Sequence, residues 1–85
     1  DYKGKLIAWG QKNKCSVAFE TISIEEIKHR KQYTVQVNIG GIPFETAVNY
    51  SIKSAEQLVA EKAFKRIEEE QGKEKTYEIN KESDE

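Results

Sequence analysis

The side chains of this sequence that could perform chemistry are few and lie far apart. His29 is the only histidine and Cys15 the only cysteine, so neither a zinc cluster nor an internal disulfide can be assembled from them. No Ser-His-Asp constellation and no glycine-rich phosphate loop are present. The densest carboxylates, at residues 68–70, follow a helical run and are interpreted as a solvated charge run. We therefore expect no catalytic residue, no metal and no cofactor within these residues.

Charge is divided unevenly between two parts of the 85-residue chain. The formal net charge is −1, but residues 1–67 carry eleven Lys or Arg against seven Asp or Glu, a balance of +4. Residues 68–85 carry three against eight, a balance of −5. The acidic end therefore masks a mildly basic body, which could meet a polyanionic partner.

The sequence contains no membrane or export signal. No apolar stretch approaches the roughly 20 residues of a membrane span, and the first residues lack the layout of a secretory signal. We expect a cytoplasmic protein with no membrane partner. Because the chain has no methionine and begins at Asp1, we also expect it to be a segment of a longer protein.

A strand, a tight turn and a second strand are the clearest elements of the sequence. In residues 32–39 four apolar side chains alternate with polar ones, as in a sheet with one face in water. Gly40-Gly41 fits a two-residue hairpin turn with positive φ. Residues 42–48 then return as a second strand, with Pro43 tolerated near the start of an edge strand.

Two further elements are predicted before this hairpin. Leu6, Ile7 and Trp9 give residues 2–12 an apolar stripe typical of a helix, with Trp9 packed in the core. Residues 16–24 are predicted to form a strand with Val17 and Phe19 facing inward. The charged residues 25–31 are predicted to form a solvated loop.

The last predicted helix completes an α+β fold. Ser51 is its predicted N-cap, with a capping box from Ser54 to Gln57 as the alternative one turn on, and the helix ends near residue 67. From residue 69 the polar composition predicts a disordered acidic tail over 69–85, after a domain over 1–68. The order is α-β-β-β-α, with two helices packed on one face of a three-stranded antiparallel sheet. The predicted buried stripe of the last helix consists of Ala55, Leu58, Val59, Ala63 and Ile67.

Three segments together resemble the double-stranded RNA-binding domain family over residues 1–68. They are the run from Leu6 to Lys12, His29 followed four residues later by Tyr33, and residues 51–64. The run KLIAWGQKNK is also similar to the start of the carboxy-terminal RNA-binding domain of bacterial ribonuclease III. This resemblance implies binding of double-stranded RNA in RNA processing. It also implies that any cleavage belongs to a catalytic domain elsewhere in a parent chain.

The resemblance implies three RNA-contacting surfaces, because the narrow major groove of A-form RNA cannot be read and contacts fall on minor grooves and phosphates. The first surface lies on the first helix, the second between the first two strands, and the third at the start of the last helix. Free N–H groups and the helix dipole favour a phosphate at the third surface. The residues are Lys5, Gln11 and Lys12 in the first surface, His29, Arg30 and Lys31 in the second, and Ser51 and Lys53 in the third.

The sequence departs from the family pattern on all three surfaces. Ala8 replaces a glutamate of the first helix, and Glu26-Ile27 replaces a Gly-Pro pair before His29. Ile52 and Glu56 stand where the family has lysines, which leaves one motif lysine of three. An alternative hypothesis is therefore a degenerate domain that serves protein contact or homodimerisation, with an exposed Ile52 as its signature.

Overall fold

Two helices lie on one face of a three-stranded antiparallel sheet, as the sequence predicts. The elements are α1 (Tyr2–Lys12), β1 (Val17–Ile27), β2 (Arg30–Ile39), β3 (Ile42–Asn49) and α2 (Ile52–Ser83). The strand order β1-β2-β3 places β2 in the centre of the sheet. This computed structural model describes the backbone of residues 1–83 and the side chains of residues 1–72. Neither helix in the described part combines the length and apolar character needed to cross a membrane.

The core between the two layers is built from small and medium side chains. Leu6 of α1 and Val35 and Val37 of β2 are fully buried, and alanines on α2 let the helix approach the sheet closely. The predicted stripe of α2 is wrong at Leu58, which is 37% exposed, whereas Ala60 is buried. Successive helical residues are about 100° apart, so Leu58 lies outside the arc that faces the sheet. Within residues 52–72 of α2, the buried residues are Ala55, Val59, Ala60, Ala63 and Ile67.

Helix α1 packs closely against the chain that follows it. The Asp1 carboxylate caps the helix by accepting a hydrogen bond from the Gly4 N–H. At Gly10 an added Cβ would lie 2.6 Å from Val17 Cγ2 and 2.7 Å from the Cys15 carbonyl oxygen. Glycine weakens an isolated helix, but here it permits this close contact. Trp9 is half-buried and packs against the core, as predicted.

The segment predicted as a polar loop is instead a tight hairpin, which corrects the prediction for residues 25–31. Strands β1 and β2 continue to Ile27 and Arg30, which pair with each other. The turn between them consists of Lys28 and His29, whose φ angles are 52° and 64°. Positive φ at both central residues is the geometry of a type I′ turn. The charged side chains of residues 25–31 can remain in water while the backbone of these residues is paired between strands. A cluster of charged residues is therefore not evidence for a loop.

The second hairpin follows the prediction. Gly40 and Gly41 have φ angles of 62° and 79°, and the Gly40 N–H donates to the Ser16 carbonyl oxygen at 2.9 Å. The end of α1 and the start of β1 therefore meet this turn. The Lys28-His29 turn lies at the opposite end of the sheet.

Helix α2 extends well past the predicted end near residue 67. Ile67 is the last buried side chain among residues 52–72, and the backbone is helical as far as Ser83. Glu, Lys and Gln, which dominate this segment, are good helix formers, so the helix continues past Ile67 although residues 68–72 are exposed. The division of the chain into a domain over 1–68 and an acidic tail over 69–85 remains a prediction, and side chains beyond residue 72 lie outside the described part.

Candidate nucleic-acid interface

The third surface is formed where β3 passes into α2. Ser51 caps the helix as predicted, because its Oγ accepts a hydrogen bond from the Ser54 N–H at 3.0 Å. Its carbonyl oxygen accepts from the Ala55 N–H at 2.9 Å. The N–H groups of Ile52 and Lys53 find no acceptor in the described part of the chain. They remain available to an anion at the positive end of the helix dipole.

Lys53 is exposed at this helix start. Its ammonium group pairs with none of the carboxylates whose side chains the structure describes. Ile52 is 42% exposed beside it, so the apolar substitution in the family motif does face solvent. The third surface thus combines one free cation, two open N–H groups and one apolar side chain.

Glu56 does not compete with a phosphate in the way that the sequence suggests. Its carboxylate lies 2.9 Å from the Lys3 ammonium group, and the Glu56 side chain is only 22% exposed. The neighbouring Gln57 side chain accepts hydrogen bonds from the N–H groups of Tyr2 and Lys3, at 3.1 and 3.3 Å. Both side chains therefore tie α2 to α1, and the negative charge of Glu56 is compensated.

The second surface lies at the tip of the β1–β2 hairpin. His29, Arg30 and Lys31 are all exposed. The Arg30 guanidinium carbon lies 3.5 Å from the centroid of the Tyr50 ring. Tyr50 directly precedes Ser51, the N-cap of α2. The contact between Arg30 and Tyr50 therefore places the second surface next to the third.

The first surface does not join this cluster. Gln11 and Lys12 are exposed at the carboxyl end of α1. From there the chain leads to Ser16, which contacts Gly40 at the end of the sheet opposite His29. The Lys5 ammonium group lies 4.9 Å from the centroid of the Tyr2 ring. Ala8 is exposed between them and offers no hydrogen-bonding group from its side chain. The contacts expected from α1 are thus spread along the helix.

Ion pairing separates the cations of the chain into two groups. The described carboxylates neutralise four of the eleven Lys and Arg residues of 1–67. Within this group, a hydrogen bond and the charge of Glu61 raise the pKa of Lys65 above its usual value. None of the residues assigned to the three surfaces forms an ion pair with a described side chain. The paired cations are Lys3, Lys62, Lys65 and Arg66.

Two further cations were not assigned to any of the three surfaces from the sequence. Lys28 occupies the hairpin turn beside His29, and Lys14 follows α1 with a φ angle of 54°. Both are exposed and unpaired in the described part of the chain. Recognising residues 28 and 29 as a turn would have identified Lys28, but no Gly or Asn marks that position.

Metal binding finds no support in the described residues. No group of three or more His, Cys, Asp or Glu side chains among them could hold a metal ion. The exposed, unpaired cations of the three surfaces and the open N–H groups at the start of α2 can instead bind anions.

The order α-β-β-β-α, with two helices on one face of a three-stranded antiparallel sheet, is the fold of a known class of RNA-binding domain. A model of the double-stranded RNA binding motif matches residues 2–67, and this chain belongs to that family. Within it, the chain is similar to part of proteins named ribonuclease 3. It is 38% identical over 69 residues to the protein of Bacteroides thetaiotaomicron, a match that covers 79% of this chain and 22% of that protein. The protein of Chlorobaculum tepidum is 35% identical over 69 residues, covering 80% of this chain and 25% of that protein.

These comparisons confirm the family resemblance and the similarity to ribonuclease III. The chain spans about a quarter of the length of the curated relatives that it matches. The similarity therefore concerns one domain of those proteins.

Proposed function

We propose that this chain binds double-stranded RNA as the RNA-binding part of a longer, ribonuclease III-type protein. The observation that carries the proposal is the distribution of free cations. Those assigned to the three surfaces are exposed and lack carboxylate partners among the described side chains, whereas Lys3, Lys62, Lys65 and Arg66 are neutralised. Phosphate groups are the natural partners for such unneutralised charge.

The duplex would be recognised by shape, with little reading of its bases. The His29 turn would enter one minor groove, where the imidazole and turn carbonyl groups can contact 2′-hydroxyls. Lys53 and the open N–H groups of α2 would hold phosphates that flank the intervening major groove. Residues of α1 would contact the next minor groove. This division matches the footprint of about 16 base pairs that such domains cover.

The reduced set of motif lysines would make binding by this chain alone weak and sensitive to salt. Each phosphate contact that is lost removes part of the counterion release that drives association. In a parent protein of the ribonuclease III type, this domain would position the duplex for a catalytic domain in the same chain. Cleavage would then take place in that catalytic domain.

A second candidate function is protein contact or homodimerisation by a degenerate domain. The observation that favours it is the 42% exposure of Ile52 at the start of α2, where the family has a lysine. An apolar side chain in this position would suit a protein–protein contact that excludes water better than it would suit contact with a phosphate. A sedimentation measurement separates the two functions, since a tight dimer that ignores RNA would support only the second.

The test of the proposed function is a titration of isotope-labelled chain with an RNA duplex of about 16 base pairs, at low and moderate salt. A DNA duplex of equal length is the control. We expect salt-sensitive shifts of the His29, Ser51 and Lys53 amide signals with RNA and weaker ones with DNA, while the Lys62 signal stays in place. If no signal shifts at low salt, where phosphate attraction is strongest, the proposal is overturned.

A further inference from the structure

The β1–β2 hairpin extends beyond the edge strand β3. The last β2–β3 pair at this end of the sheet is Tyr33 with Asn49. Residues 30–32 of β2 therefore have no partner on β3, and the hairpin overhangs it by about 10 Å at the usual rise per residue. The tip of this overhang carries Lys28 and His29.

One side-chain contact joins the overhang to the start of α2. The Arg30 guanidinium carbon is 3.5 Å from the Tyr50 ring centroid, a distance that only an approach over the ring face allows. Such stacking of a planar cation on an aromatic ring is attractive. Among the described side chains, no hydrogen bond or ion pair joins residues 25–32 to residues 50–56.

The two stacked residues occupy positions that connect the second and third surfaces. Arg30 is the first residue of β2 and directly follows the turn residue His29. Tyr50 directly precedes Ser51, the N-cap of α2. A paired ribbon of two strands is free to bend where a third strand no longer supports it. The stack limits that bending, so it fixes how far His29 lies from Lys53.

We infer that Arg30 and Tyr50 form a strut that sets the spacing between the second and third surfaces. The inference rests on the proposed function and deepens it, because that spacing must match the distance between a minor groove and the flanking phosphates of A-form RNA. Arg30 is then a positioning residue, whereas the family resemblance implies a phosphate contact for it. Tyr50, which no sequence motif marks, becomes a determinant of duplex specificity.

The test compares variants that remove the stack with variants that preserve it. Tyr50→Leu removes the ring without changing charge, and Tyr50→Phe is its matched control. Arg30→Lys keeps the charge but loses the planar group. Each protein is titrated with the 16-base-pair RNA and with the DNA control over a range of salt concentrations, and thermal melts confirm that each variant is folded.

We expect Tyr50→Leu and Arg30→Lys each to weaken RNA binding about two- to fivefold, as suits one exposed cation–π contact. The dependence of affinity on salt should not change, because no phosphate contact is lost. The double variant should bind no more weakly than either single variant, and Tyr50→Phe should match the unaltered chain. Preference for RNA over DNA should fall in the weakened variants.

Two results would overturn the inference while leaving the proposed function intact. One is affinity at the original level in folded Tyr50→Leu or Arg30→Lys. The other is additive losses in the double variant, which would make Arg30 an independent phosphate ligand. If the unaltered chain binds no RNA, both proposals fail together.

The stack itself has a readout that needs no RNA. In the free protein, the Tyr50 ring current should move the Arg30 side-chain proton signals upfield. This displacement should disappear in Tyr50→Leu and remain in Tyr50→Phe. Arg30 signals that are insensitive to Tyr50→Leu would remove the structural basis of the strut.

Discussion

The Lys3 ammonium group lies 2.9 Å from the Glu56 carboxylate and joins the start of α1 to the second turn of α2. In the sequence, Glu56 stands at a motif position where the family has a lysine, and it suggests repulsion of a phosphate. In the folded chain its charge is matched by a cation 53 residues earlier. This pairing explains how a domain with this substitution can keep a helix start that is open to an anion.

Replacing Glu56 with glutamine should separate its structural role from its electrostatic one. The pair is partly exposed, so we expect Glu56→Gln to lower the free energy of unfolding by less than about 1 kcal/mol. Affinity for RNA at low salt should rise about twofold, since the Lys3 ammonium group then lacks its carboxylate partner and the net charge of the domain becomes more positive by one. Denaturant unfolding and RNA titration measure the two effects. Glu61→Gln, further along α2, is the control, and weaker RNA binding by Glu56→Gln would contradict this interpretation.

Lys53 should be the most sensitive single position for RNA binding. We expect Lys53→Glu to abolish detectable binding without unfolding the domain, because the side chain is exposed and unpaired among described residues. Lys53→Gln should reduce the slope of log affinity against log salt by about 1. The matched control is Lys62→Gln, about 14 Å along the same helix, where the lysine already contacts Glu45. Retained affinity in folded Lys53→Glu would refute the assignment of the third surface.

The Lys28-His29 turn should show a conflict between stability and binding. His29 has a φ angle of 64°, in the left-handed region that costs most residues about 1–2 kcal/mol. Substituting Asn-Gly, the preferred pair for such turns, should therefore raise the free energy of unfolding by about 1 kcal/mol. It should also weaken RNA binding, because it removes the imidazole and one cation. Thermal melts and titrations measure both, and Lys28→Asn alone separates the loss of charge from the loss of the ring.

Gly10 should tolerate no side chain. A Cβ at this position would lie 2.6 Å from Val17 Cγ2 and 2.7 Å from a backbone oxygen, so Gly10→Ala should destabilise the domain by about 1–3 kcal/mol. Gly72→Ala is the control, because a Cβ there meets no atom of the described residues within 4 Å. That change should be neutral or stabilising by up to about 1 kcal/mol. Equal melting temperatures for Gly10→Ala and the unaltered chain would contradict this prediction. They would mean that α1 and β1 can move apart at little cost to make room for the added Cβ.

Local sequence patterns predicted most of the fold. The alternation in residues 32–39, the Gly40-Gly41 turn and the Ser51 cap each depend on neighbours within a few residues, and all three are confirmed. The Lys28-His29 turn was missed because turn prediction relies on Gly, Asn and Asp, and none of these occurs there. A hairpin can instead be imposed by strands that pair on both sides of an unfavourable turn.

Contacts between distant residues account for what the sequence did not reveal about the candidate site. The Lys3–Glu56 pair and the Arg30–Tyr50 stack join positions that no periodicity relates. Family motifs identified which residues belong to each surface, but they described each surface separately. The partners of Glu56 and Arg30 became apparent only when α1, α2 and the hairpin were placed together.

The side chain of Gln57 has a mechanical consequence. Together with Glu56 it attaches the first turn of α1 to α2 through two backbone N–H groups and one ion pair. Three described contacts therefore hold the start of α1 to α2, whereas one described side-chain contact, the Arg30–Tyr50 stack, joins the overhanging hairpin to the start of α2. If the domain binds a duplex that carries a bulge or mismatch, loss of the single Arg30–Tyr50 contact would let the hairpin follow the altered groove, while the contacts between the helices stay in place.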